Sequence, residues 1–132
     1  MRDVQIKVCD KQIYESHSDS NEMNFKGQLA FKNNNLYITY KDEQSGVTTI
    51  IKAKDNKVSV KRLGAVKGDL NFNVEQPHHT IYHTPHGELE MEIITGKCDV
   101  YILEKGVKIC IEYKILMQGE KISDNIYMIM AN

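Results

Sequence analysis

The sequence predicts an all-β fold, an antiparallel up-and-down meander of about eight to ten strands closed into a β-barrel. Three observations predict it. Apolar side chains recur with a period of two along most of the chain, the pattern of strands with one buried face. The alternating runs are separated by short segments of Asn, Asp and Gly that suit tight hairpin turns. No stretch carries an apolar stripe of helical spacing.

In chain order, the first run sets Val4, Ile6 and Val8 on one face. Leu36, Ile38 and Tyr40 alternate with Tyr37 and Thr39 in the next. A third places Val58, Val60 and Arg62 together against Lys57, Ser59 and Lys61, and Leu70, Phe72 and Val74 follow in a fourth. Leu89, Met91, Ile93 and Thr95 face away from Glu88, Glu90 and Glu92, the clearest inside–outside alternation in the chain. Val107, Ile109, Ile111, Tyr113, Ile115 and Met117 share one face, and a closing run spells IYMIMA. Helix is expected at most in the ESHSDSNE segment or near GAVKG.

The turns predict register. With Asp55-Asn56 as a two-residue turn, Ala53 faces Val58, Ile51 faces Val60 and Thr49 faces Arg62. With Lys105-Gly106 as another, Ile102 faces Ile109 and Val100 faces Ile111. Each hairpin then gathers its apolar residues on one face, which makes the registers self-consistent. A simple meander of such strands must bury that face and protect its edges, and closure into a barrel does both.

At 132 residues the chain fits a single domain, 1–132, and its 41% hydrophobic residues suffice for one core. A net charge of -1 steers it toward neither nucleic acid nor an anionic membrane, so no DNA partner and no membrane is expected. The start lacks an apolar stretch of signal-peptide length, which points to the cytoplasm. Cys9, Cys98 and Cys110 lack paired Cys-x-x-Cys spacing and read as free thiols. In the expected register Cys98 and Cys110 project through opposite faces, a placement incompatible with a disulfide between them.

The stretches VSVKRLG, YHTPHGELEMEIIT, CIEYKILMQG and DNIYMIMAN resemble the YwiB-like family, small bacterial proteins of unknown function. The shared elements fall on Arg62 and Gly64, on Tyr82, Thr84, Pro85 and Gly87, on Thr95 and on Tyr113. His86 stands where the family usually has tyrosine. The resemblance implies a lipocalin-like, or calycin-like, antiparallel barrel and brings no established reaction.

Candidate sites must therefore come from the residues. Arg62 continues the apolar face of its strand, so it should point inward, where a guanidinium is costly unless paired or hydrogen-bonded. Thr49 lies across from it, and Tyr40, Thr95 and Tyr113 also continue inward faces. These residues, with Ile38, Ile51, Met91 and Ile111 as apolar contacts, are expected to bind a small, partly apolar anionic or amphipathic molecule in or at the mouth of the barrel. The competing structural reading leaves Arg62 at the rim or paired with an internal carboxylate.

His79 and His83 share a strand face and His86 lies in the following turn, a weak candidate metal set without any fixed ligand spacing. A histidine-centred hydrolase is one alternative function. The other is a surface module for an acidic protein or RNA using Lys52, Lys54, Lys57 and Lys61, although nucleic-acid binding usually adds aromatic platforms that this hairpin lacks. Phosphate loops and nucleophile elbows are absent, so the sequence leans away from an enzyme and implies no cofactor; the oligomeric state is open.

Overall fold

The computed structural model describes residues 1–132 as ten strands and no helix. They are β1 (Arg2–Ile13), β2 (Ser18–Lys32), β3 (Asn35–Asp42), β4 (Val47–Lys54), β5 (Lys57–Leu63), β6 (Gly68–Phe72), β7 (His78–Thr84), β8 (Gly87–Ile102), β9 (Val107–Met117) and β10 (Glu120–Ala131). Neighbours run in the order β6-β5-β4-β3-β2-β1-β10-β9-β8-β7, every pair antiparallel. The meander thus closes upon itself through β1 and β10, leaving β6 and β7 as the two free edges. These edges meet at one bridge, where the Lys67 and His83 amides each donate to the other's carbonyl at 2.9 and 2.8 Å.

Turn chemistry dictates the tight hairpins. Asn33, Asn34, Asp55 and Asn56 all adopt positive φ, the conformation of a two-residue turn whose twist matches the flanking strands. The Asp55-Asn56 turn produces the expected register, with Thr49 opposite Arg62, Ile51 opposite Val60 and Ala53 opposite Val58. The Asn56 carboxamide oxygen also accepts from the Val100 amide at 3.0 Å, tying this turn to β8.

The Lys105-Gly106 register requires correction. Ile102 faces Val107, Val100 faces Ile109 and Cys98 faces Ile111, a shift of two residues from the expected pairing. The loop spans 103–106, and the Leu103 amide donates to the Gly106 carbonyl at 2.7 Å, so the turn is wider than a two-residue one. An even shift preserves facing. Cys98 is therefore buried on the inner side while Cys110, opposite Asp99, is on the outer side with Cys9. The ESHSDSNE segment enters β2, and GAVKG forms a bend; neither is helical. Val74 also departs from expectation, being exposed in the turn beyond the end of β6.

Inward residues form one cluster of 23 buried apolar side chains. Ile38, Ile93, Ile109, Ile111 and Ile129 are each 0% exposed, so the middle of the barrel is packed with side chains rather than left as a cup. A bulge at Gly96 keeps both Thr95 and Cys98 inward despite their odd separation, and a second register shift falls between Lys121 and Ser123, where the inward row of β10 begins.

Candidate functional site

At the β6–β7 seam the regular ladder gives way. The Asp69 carbonyl accepts from the Thr80 hydroxyl at 2.6 Å, and the Asn71 carboxamide nitrogen lies 3.4 Å from His78 Nδ1, so side chains bridge these edges where a sheet would use backbone groups. Over the seam runs an open groove of about 850 Å³. Most of its lining residues are polar or charged, with Leu63 and Ile81 as the apolar side chains, and Arg62 reaches it from the inner side of β5.

Arg62 is positioned by register. It pairs with Thr49 on β4 and with Gly68 on β6, and the missing side chain at Gly68 makes room for the Tyr82 ring arriving from β7. Arg62 Nη1 donates to the Tyr82 hydroxyl at 3.1 Å. No carboxylate lies within ion-pair distance of the guanidinium. The expectation that Arg62 points inward is met, and an internal Asp or Glu partner is not what it meets. Instead the phenols of Tyr82, Tyr127 and Tyr40 surround it. Burial works to lower its pKa, yet these phenols outweigh that effect, and the group stays protonated at every accessible pH.

The same environment acts on the phenols. Burial pushes Tyr113 up to about 12, against the opposing pull of Arg62, and pushes Tyr82 above its ordinary value with the same opposition. Tyr127 is raised well above it, again through burial, with Tyr40 adding to the effect. At neutral pH the cluster therefore has one positive charge and neutral hydroxyls. Two buried hydroxyls, those of Thr95 and Tyr127, have no hydrogen-bond partner. His78 Nε2 is likewise buried and unpartnered.

Chemically, this is a fixed cation with adjustable donors and acceptors and no built-in counter-charge, the arrangement that receives an oxyanion. Of the residues expected from sequence, Arg62, Thr49, Tyr40 and Tyr113 are brought together inside the barrel, with Tyr40 stacked on Phe25 and Tyr113 tilted against Phe72, and of these Arg62 alone lines the groove. Thr95, opposite Tyr113, is enclosed. Ile38, Ile51, Met91 and Ile111 are ordinary core residues, 0–8% exposed, and none lines the groove. Tyr82, Tyr127 and Gly68 were missed. Tyr82 could have been found from the Pro85-containing turn, which pairs it with Leu89 and so with the apolar face of β8.

The histidines do not converge. His79 Nε2 lies 3.1 Å from Glu92 and His83 Nδ1 lies 3.2 Å from Glu88, two separate pairs on the outer face with Ile81 opposite Glu90 between them. His86 is exposed in the turn, and no group of three potential ligands is close enough to hold a metal ion. The lysines of the β4–β5 hairpin are exposed; Lys52 Nζ stands 6.0 Å from the centre of the Tyr37 ring.

Fold and site together define a ten-stranded up-and-down β-barrel with a packed interior and an uncompensated arginine at its seam. The chain belongs to the family described as a domain of unknown function, DUF1934, whose model matches residues 6–129. It is similar in fold to the crystal structure of the ywiB protein from Bacillus subtilis, with 24% identity, a TM-score of 0.87 and coverage of 98% of this chain and 90% of that one. The resemblance seen in the motifs therefore holds for the family and for the barrel. No curated protein matches the chain.

Proposed function

We propose that this protein binds a small anionic molecule, without chemically transforming it, at the seam of the barrel, with Arg62 as the charge anchor and Tyr82 as its orienting partner. The observation that carries this reading is a largely buried guanidinium whose one side-chain hydrogen bond goes to a neutral phenol. A buried cation without a counter-charge is costly, and an incoming carboxylate or phosphate supplies that charge with charge-assisted hydrogen bonds. Because the interior is filled, the ligand sits at the groove rather than in the deep cup of a lipocalin-like carrier. Three free thiols suit a reducing compartment, and we place the protein in the cytoplasm.

Native mass spectrometry of protein purified from its own host tests the reading, with a retained small anion as the expected result. A mass equal to that of the bare chain under conditions that preserve weak complexes contradicts it.

The lysine hairpin carries a second reading, a contact surface for an acidic protein, because Lys52, Lys54, Lys57 and Lys61 are exposed and none is in an ion pair. Binding of that kind weakens steeply with salt, whereas binding at the sheltered arginine is less salt-sensitive.

A further inference from the structure

The groove outside Arg62 contains charges that a simple carboxylate or inorganic anion would leave unused. Lys61 on β5 and Lys67 before β6 line it, and neither is in an ion pair. Asp69 and Glu90 line the same groove, and their carboxylates are likewise free of ion pairs and of side-chain hydrogen bonds. Lys61 and Asp69 are direct cross-strand partners, as are Ile81 and Glu90, so these groups lie along one lateral row on the outer face.

We infer that the ligand of the seam is a sugar phosphate, its phosphate received by Arg62 with Lys61 and Lys67, and its hydroxyls donating to Asp69 and Glu90. This rests on the anion-binding reading of Arg62. Three cations in one groove exceed what a monocarboxylate requires and match a phosphomonoester, which carries close to two negative charges at neutral pH. Two carboxylates beside them would repel a bare anion. They become favourable once the ligand brings hydroxyl donors, because a carboxylate is an acceptor only. A long acyl chain suits this surface poorly, since Leu63 and Ile81 are its apolar side chains, and no Phe or Tyr faces the groove, whose rings are the small imidazoles of His78, His79 and His83. Ile81, exposed between His79 and His83, offers a small apolar patch for the carbon face of a sugar ring.

The test is an NMR titration of the full chain with ribose 5-phosphate, inorganic phosphate and butyrate, reading the Arg62 side-chain and Gly68 amide signals. Ribose 5-phosphate is expected to bind about tenfold more tightly than the other two, the difference one charge-assisted hydrogen bond makes. Asp69→Ala and Glu90→Ala should each weaken ribose 5-phosphate while leaving inorganic phosphate unchanged or tighter, since a negative charge has been removed. If butyrate or inorganic phosphate binds as well as ribose 5-phosphate, or if both substitutions leave the three affinities in their original ratio, the sugar phosphate is overturned and the Arg62 anchor stands. If none of the three probes moves the Arg62 and Gly68 signals, both fall.

Discussion

The ring of Tyr82 fills the space that a β-carbon on Gly68 would need: such a carbon would lie 2.5 Å from Cδ1 and 2.7 Å from Cε1. One missing methyl group on β6 thus allows a tyrosine from β7 to reach the guanidinium on β5. Gly68→Ala should push the ring aside and loosen Arg62, at a cost of about 1–3 kcal/mol as for other overpacked sites. Tyr82→Phe keeps the ring and removes the hydrogen bond, so it should cost less than Gly68→Ala. Denaturant midpoints of the two variants check this order, and an unperturbed Gly68→Ala would show that the ring yields freely.

Thr95 gives a prediction of opposite sign. Its hydroxyl is buried, 6% exposed as a residue, and has no partner. Replacing it by the similarly shaped valine removes an unsatisfied polar group and should raise stability by on the order of 1 kcal/mol. A destabilised Thr95→Val variant, measured by thermal melting, would mean that this hydroxyl is satisfied in solution.

Alkaline pH should unfold the barrel through its phenols. The folded-state pKa values of Tyr82, Tyr113 and Tyr127 are raised above the ordinary value of 10.0, in each case first by burial. The folded protein then holds these protons where the unfolded chain has released them. The contribution is fully present below pH 10 and declines as pH rises toward about 12, the value for Tyr113. Ultraviolet titration of tyrosinate should show a late-ionising fraction among the seven tyrosines, accompanied by falling stability; a single transition at the ordinary value with no loss of stability would contradict it.

The thiols should react in a set order. Cys98 is buried and its pKa is pushed up to about 11, first by burial and then by Asp99. Cys9 and Cys110 are half-buried on the outer face, on either side of Met128. With a thiol reagent at neutral pH, Cys98 of the native protein should be modified last, and denaturation should release it. Mass-spectrometric mapping that finds Cys98 modified first would refute its inward placement.

Much of this fold was legible because alternation is a local property. The faces of Val58, Val60 and Arg62, and the Thr49–Arg62 pairing, follow from a turn whose Asp55 and Asn56 tolerate positive φ. Loop width was less legible. Lys105-Gly106 looks like a two-residue turn, but a bond from Leu103 to Gly106 makes the loop wider and moves the register by two. Most of β2 was hidden because its first residues are exposed on both faces and Gly27 interrupts the inward row. The site was half legible. Arg62 and its inward direction could be read from one strand, whereas its partner Tyr82 depends on how two edges meet across a seam, and no local pattern records that.

Arg62→Ala separates an anion-receiving arginine from a structural one when folding and retained ligand are measured on the same sample. The side chain has no acidic partner to strand, so its removal should leave a folded barrel melting at or above the temperature of the parent. Native mass spectrometry should find a small anion on the parent and none on the variant. An Arg62→Ala chain that fails to fold, or one that folds and keeps the same bound anion, would contradict the account.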